Sequence, residues 1–459
     1  MSLRAPKAGA GAAGPGGAGP EAAARRSTEL GLVTLAVILA AGGYVLTALA
    51  KGAKLPADLA PFAAGAAGLA LAAHVAVRRF APRADGTLLG LAIMLNGIGF
   101  VVIARLDPDL ARYQSLWTAV GVGAFVATLA AVRRVRDLER YRYTFALVGI
   151  GSLLIPAVPG IGQEINGARL WVHLGPLNFQ PGEAAKVTLV IFLAAYLVEK
   201  RELLSTPTWR VGPVMLPDPK HFAPLILAWG SSILVMVREK DLGSSLLFFA
   251  VFLAMLYMAT ARASYLGIGT ALFAVGATAA YHAFGHVRER VTTWINPWPT
   301  ADSHGFQLVQ ALFAFGSGGL AGTGLGLGSP GKIPNAATDF VYAAIGEELG
   351  LIGTTAVLVL YLLLVGVGFR IALRADQPFL KLLAAGLTTI LGVQTFIILG
   401  GVTRLIPLTG ITMPFVSYGG SSLLANFVIL ALLLRISDEV ARRAEAGELH
   451  LPPPRDAAR

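Results

Sequence analysis

The stretch KIPNAATDFVYAAIGEELG, residues 332 to 350, carries a glycine-rich loop into an apolar run that continues to about residue 369. About twenty apolar residues cross a bilayer, so the run is expected to be a membrane span. Asp339 stands at its mouth, with Glu347 and Glu348 two turns deeper. Ionisable side chains in or beside a span are costly and usually face a polar cavity or a partner. For Glu347 and Glu348 a bland reading stands beside this one, in which they pair with an arginine and stabilise packing.

The rest of the chain is built the same way. Of 459 residues 55% are hydrophobic and only 14% are charged, and the mean hydropathy is +0.67. This is the composition of an all-α polytopic membrane protein. Twelve spans are expected near 29–50, 57–77, 86–104, 114–132, 143–160, 184–198, 222–237, 243–260, 264–285, 342–369, 382–402 and 418–436. Residues 1–28 are Ala, Gly and Pro with scattered charge, a composition that buries no core and predicts a disordered tail. A second tail is expected over 438–459.

Charge gives the orientation. The formal charge is +11, yet Lys and Arg sit in short loops rather than along one helix face, which argues against nucleic acid. One alternate set of loops holds Arg78, Arg79 and Arg83, then Arg133, Arg134, Arg136, Arg140 and Arg142, then Lys200, Arg201, Arg210 and Lys220, then Arg262, Arg370, Arg374 and Lys381. Positive loops stay in the cytoplasm, so both tails are expected there and the protein in the cytoplasmic membrane. The Gly- and Pro-rich segments 161–183, 286–341 and 403–417 are then external, and Asp339 faces outward. Within 304–316 the apolar residues suit a helix lying on the interface.

Arg169, Arg288, Arg290, Lys332 and Arg404 lie in these external loops, against the charge trend. A phosphate-bearing substrate would explain them, because an arginine fork matches phosphate oxygens; solvated loop charge is the alternative. Pro181 and Glu183 suit a helix N-terminus, with Lys186 one turn on as a partner. Asp241 reads as a cap or a cavity acid. GTGLGLG (322–328) resembles a nucleotide loop but lacks the strand and the Lys-Ser/Thr that such a loop needs, so it is expected to be flexible backbone. No cysteine is present and the seven histidines show no metal-ligand spacing.

Four segments carry a resemblance. NGARLWVHLGPLNFQPGEAAK (166–186), DLGSSLL (241–247), TDFVYAAIGEELGLIG (338–353) and PLTGITMPFVSYGGSSLLANF (407–427) are similar to the signatures of the SEDS family, the FtsW and RodA proteins, and most similar to actinobacterial members. The resemblance covers residues 143–437, with an external loop at 286–341. It implies a ten-helix core, so two of the helices in 29–142 are expected to be an N-terminal addition.

It also implies an enzyme: a peptidoglycan glycosyltransferase that polymerises lipid II at the outer face, with a class B penicillin-binding transpeptidase and other elongation or division machinery as partners. Asp339 matches the family's essential aspartate and is expected to be catalytic. Asn335 and Ala337 stand where members commonly have an acid and a histidine, and Gly182 where they often have serine, so those side chains are dispensable. The leaving group of lipid II is a lipid-linked pyrophosphate, which needs no general acid, so what the reaction needs is a base on the acceptor hydroxyl. Arg169, Arg290 and Arg404 are expected to hold the pyrophosphate, with a divalent cation (Mg or Mn) as an additional candidate. Glu183, Lys186, Asp241 and Glu347 would shape the polar cavity behind it. The competing readings are a lipid II flippase and a non-catalytic scaffold for the transpeptidase; the first is disfavoured because the unusual charges gather toward one face.

Overall fold

The computed structural model describes residues 20–52, 58–165, 168–175, 177–205, 209–211, 214–216 and 241–447. Four helices open the described chain: α1 (Pro20–Gly52), α2 (Leu59–Phe80), α3 (Thr87–Leu106) and α4 (Pro108–Ala131). Asp107 caps α4, its carboxylate accepting the N–H groups of Asp109 and Leu110 ahead of a proline at the first helical position. After a single turn, α5 (Asp137–Arg140), comes the short α6 (Arg142–Leu154), which a 3-10 turn extends to Ala157.

Three short strands, β1 (Gly162–Ile165), β2 (Ala168–Leu174) and β3 (Leu177–Phe179), form an antiparallel sheet that leads into α7 (Pro181–Glu199). α8 (Arg201–Ser205) and a strand pair, β4 (Trp209–Val211) with β5 (Val214–Leu216), follow. The remaining helices are α9 (Leu242–Thr260), α10 (Ala263–Ala283), α11 (Gly285–Ile295), α12 (Phe306–Gly318), α13 (Val341–Arg374), α14 (Pro378–Val402) and α15 (Gly420–Glu445).

Ten of these helices, among the described residues, are long and apolar enough to cross a membrane. One of the twelve expected spans differs. The run at 143–160 forms only the short helix Arg142–Ala157, since Pro156 closes it in a 3-10 turn and Pro159 and Gly160 follow. The run at 222–237 lies outside the described residues. The helix expected from residue 29 already begins at Pro20, within the expected tail, and α15 runs on to Glu445.

α7, α14 and α15 are mostly buried and form the middle of the bundle, whereas α1, α2 and α10 lie at its margin. α1 packs on α3, α15 on α4, α6 on α7, and α14 on α7, α9 and α13. Arg435, within the second half of α15, donates to the carbonyls of Leu129 and Phe80, so the ends of α4 and α2 share one guanidinium. Those carbonyls would otherwise be orphans at helix C-termini.

The segment expected to be one continuous span is broken. Gly350 adopts φ 63° and ψ −160° inside α13, dividing it into a short first half and a long second half. A break in a span is tolerated only where other groups satisfy the freed backbone. Here the glycine-rich segment does so. Thr323 and Gly324 donate N–H to the carbonyls of Glu347 and Glu348, while Leu351 and Ile352 donate to those of Gly319 and Leu320.

This overturns the expectation of flexible backbone for 322–328. The segment is pinned further by two carboxylates, since Gly326 donates to Glu348 at 3.0 Å and Ser329 to Glu347 at 2.7 Å. A residue other than glycine would clash: a Cβ on Gly350 would lie 2.3 Å from the nitrogen of Gly322.

Candidate active site

Asp339 owes its position to a tight turn. Asn335 takes φ 56°, a conformation that asparagine tolerates better than other side-chain-bearing residues. From there its carbonyl accepts the N–H groups of Thr338, Asp339 and Phe340. Phe340, fully buried, seals the start of α13 beneath the turn.

The segment 403–417 holds this turn from the other side. Tyr418 donates its N–H to the carbonyl of Ala337 at 2.8 Å, and the Ser417 hydroxyl donates to that of Thr338 at 2.5 Å. Ala337 is itself buried, in a small apolar cluster with Ile103 and Ala111 and with Tyr418 packed against it.

Arg290 comes from α11, a short helix with no place among the spans. Its guanidinium donates to the carbonyls of Leu408 at 3.2 Å and Thr409 at 2.8 Å. The next residue, Gly410, has φ +76° and lies between Arg290 and Asp339. A Cβ placed there would sit 3.6 Å from Asp339 Oδ2 and 4.0 Å from Arg290 Nη2. The carboxylate and the guanidinium therefore look at one small gap without closing it as a salt bridge.

Behind them lie Asp241 and Glu183. Asp241 caps α9, accepting the Ser244 N–H at 2.9 Å, and also borders a small cavity with Gln180 and Gly182. Glu183, in the first turn of α7, is buried and paired with Lys186 at 2.6 Å. Lys186 donates to Gln394 Oε1 at 2.9 Å, and Gln394 Nε2 donates to the carbonyl of Thr412 at 2.8 Å. This relay ties α7 through α14 to the segment that carries Gly410. The N-termini of α7, α9 and α13 thus each bring one acid, and helix N-termini favour negative charge near them.

The electrostatics follow from this crowding. Asp339 is half-buried, and burial raises its pKa from 3.8 to about 6; a hydrogen bond with Thr338 and the charge of Arg290 pull it down, and Asp241 pushes it up. Burial likewise raises the pKa of Asp241. Burial lowers that of Arg290, against the pull of Asp241 and Asp339. A carboxylate titrating near neutrality is a stronger base than a solvated one.

The other expected site residues are placed differently. Arg404, at φ 60°, donates to the carbonyls of Trp294 at 2.8 Å and Ile295 at 2.5 Å and accepts from the Trp294 indole. It closes the C-terminus of α11, the helix that carries Arg290. Glu347 is occupied by Ser329, and Glu348 by Arg105 at 3.1 Å, with Arg105 also donating to the Gly328 carbonyl. Arg169 lies on β2, opposite Glu164 in the ladder, and its side chain is outside the described residues. Arg288 lies over the Tyr281 ring, and Lys332 is exposed.

Gly410, Gln394 and Asn335 were not foreseen as parts of the site. Gly410 and its neighbours lie in the recognised PLTGITMPF segment, but a glycine carries no chemical signal that points to a gap. Among the described residues no three His, Cys, Asp or Glu side chains converge to hold a metal ion.

Comparison with known proteins bears on this arrangement. Residues 88–442 match the FtsW/RodA/SpoVE family of cell cycle proteins. Peptidoglycan glycosyltransferase RodA of Mycobacterium tuberculosis is 46% identical, over 91% of this chain and 92% of its own. The probable peptidoglycan glycosyltransferase FtsW of Geobacter metallireducens is 32% identical, over 77% of this chain and 95% of its own.

Among solved structures, a chain of a peptidoglycan synthase complex that coordinates polymerization and crosslinking superimposes with a TM-score of 0.65 at 28% identity, covering 78% of this chain and 98% of that one. The rod shape determining protein RodA of Thermus thermophilus gives 0.55 at 29% identity, covering 77% and 96%.

Proposed function

This chain belongs to the FtsW/RodA/SpoVE family and is a peptidoglycan glycosyltransferase of the membrane, and from that premise we propose that it polymerises lipid II with Asp339 as the base. One observation carries the assignment: a half-buried carboxylate with a raised pKa faces a guanidinium across a glycine-lined gap. The acceptor sugar hydroxyl would lie at Asp339 and lose its proton to the carboxylate as its oxygen attacks the anomeric carbon of the donor. The bond from that carbon to the pyrophosphate oxygen then breaks, and the leaving lipid pyrophosphate carries away the electron pair. A positioned base contributes about 10² to 10⁴ in rate.

Arg290 would neutralise the leaving pyrophosphate, helped by the positive ends of α7, α9 and α13. Preorganised charge of this kind needs no reorganisation as the reaction proceeds. Arg404 and the Glu183–Lys186–Gln394 relay would keep Arg290 and the 403–417 segment in place. The site would open on the outer side of the cytoplasmic membrane, with both termini in the cytoplasm, because the arginine-rich loops lie at the other ends of the helices. A class B penicillin-binding transpeptidase would crosslink the product. α1 and α2 precede the matched residues and are read as an N-terminal addition.

The test is polymerisation of labelled lipid II by purified protein with its candidate transpeptidase. Glycan chains from wild type, and none from folded Asp339→Asn or Asp339→Ala, are expected. Equal polymer from all three would remove Asp339 from the mechanism.

A further inference from the structure

At the end of the bundle away from Asp339 the chain builds a second polar cavity, of about 1220 Å³, between the α4–α6 connection and the end of α15. Four of its arginines, Arg134, Arg136, Arg140 and Arg442, make no ion pair among the described residues. The acids nearby only partly offset them. Glu439 accepts the Val135 N–H and lies 3.7 Å from Arg443, while Asp137 and Glu139 face the same space. Unpaired guanidiniums gathered around an open cavity repel one another, and an anion bound there relieves that repulsion.

Arg142, the first residue of α6, borders the cavity. On one face of that helix Tyr143, Leu147 and Leu154 are 58%, 74% and 46% exposed, at spacings that align them along the helix. Tyr141, also exposed, stands at the rim. An apolar strip on a membrane helix that begins at a cationic basin, with tyrosines at the junction, has the polarity profile of a phospholipid: charged head, interfacial band, hydrocarbon chains.

We propose that the basin is a binding site for an anionic phospholipid, with the headgroup phosphates among Arg134, Arg136, Arg140 and Arg442 and the acyl chains along the Tyr143–Leu147–Leu154 face. Four guanidiniums with no ion pair among the described residues match two phosphates, two forks to each, which favours a diphosphatidylglycerol over a lipid with a single phosphate. A soluble phosphorylated segment would use the arginines but would have no need of the strip.

The full chain, purified in neutral detergent, is titrated with diphosphatidylglycerol or phosphatidylcholine, and bound lipid is counted by native mass spectrometry. Wild type is expected to retain diphosphatidylglycerol in preference to phosphatidylcholine. The fourfold variant Arg134→Gln, Arg136→Gln, Arg140→Gln, Arg442→Gln is expected to lose at least about tenfold in affinity. The single variant Arg136→Gln guards against misfolding of the fourfold one and should lose several-fold. Leu147→Ser, on the exposed face, should weaken lipid retention as well.

Equal retention of the two lipids, or affinity unchanged in both arginine variants, would overturn the proposal. So would capture of a soluble doubly phosphorylated peptide more tightly than the lipid and independently of Leu147→Ser.

Discussion

Asp339 and Arg290 face each other across Gly410: a Cβ on that glycine would stand 3.6 Å from the carboxylate and 4.0 Å from the guanidinium. The two charges are close enough to perturb one another and far enough apart to leave the gap open. That spacing suits a base and an anion-binding cation acting on opposite ends of one reaction.

Gly410→Ala is the most direct test of the gap. The residue has φ +76°, where a side chain costs about 1 to 2 kcal/mol, and the added methyl would project between the two groups. The expected outcome is a small drop in melting temperature with a much larger loss of polymerisation, read as a raised KM for lipid II.

Asp339→Asn should abolish polymerisation, a loss of at least about a hundredfold, yet stabilise the fold at neutral pH. Burial raises the pKa from 3.8 to about 6, so the folded state prefers the protonated acid. Stability from this group is full below pH 3.8 and is lost as pH rises through about 6. Melting curves at pH 8 should place the asparagine variant above wild type. A lower melting temperature for the variant would contradict this.

The pH–rate profile follows from the same group. A base must be ionised, so wild-type activity should climb with pH through about 6 and then level off. Arg290→Gln removes a charge that holds this pKa down, so the acidic limb should move to higher pH while KM for lipid II rises. An unmoved limb would show that the guanidinium does not act on the carboxylate.

Lys186→Ala would leave Glu183 buried beside no cation, at a cost of about 3 to 5 kcal/mol. Thermal unfolding should show a large drop, and adding Glu183→Ala should recover part of it. Independent, additive losses would mean that the pair is not coupled.

Arg105→Ala would free one side of Glu348 and the Gly328 carbonyl together. Hydrogen exchange at the amides of Thr323, Gly324 and Gly326 should then speed up by an order of magnitude or more, because these amides donate to Glu347 and Glu348. Unchanged exchange would assign the order of this segment to the Gly350 break alone.

By itself the sequence determined the membrane class, most of the spans and the exceptional carboxylate, because apolar runs and an acid at a span's mouth are local properties of the chain. Its four motifs also cover Asp339, Asp241, Glu183, Lys186 and Gly410, but not Arg290 on α11, Gln394 on α14 or the turn at Asn335. What it could not decide was which charges meet. Arg290 and Arg404 read alike as outlying basic residues, yet one faces the gap and the other fastens the end of α11. Glu347 read as a cavity acid, but the break at Gly350 turns its carboxylate onto Ser329.

The sheet over 162–179 has no signal in the sequence and the pinned glycine segment reads there as flexible backbone, since strands this short and glycines at positive φ take their conformation from partners elsewhere in the chain. Arg290 reaches Thr409 across 119 residues and Lys186 reaches Gln394 across 208. Pairings at such separations exist only after the helices have packed, and it is helix packing that sets the distance between the Asp339 carboxylate and the Arg290 guanidinium.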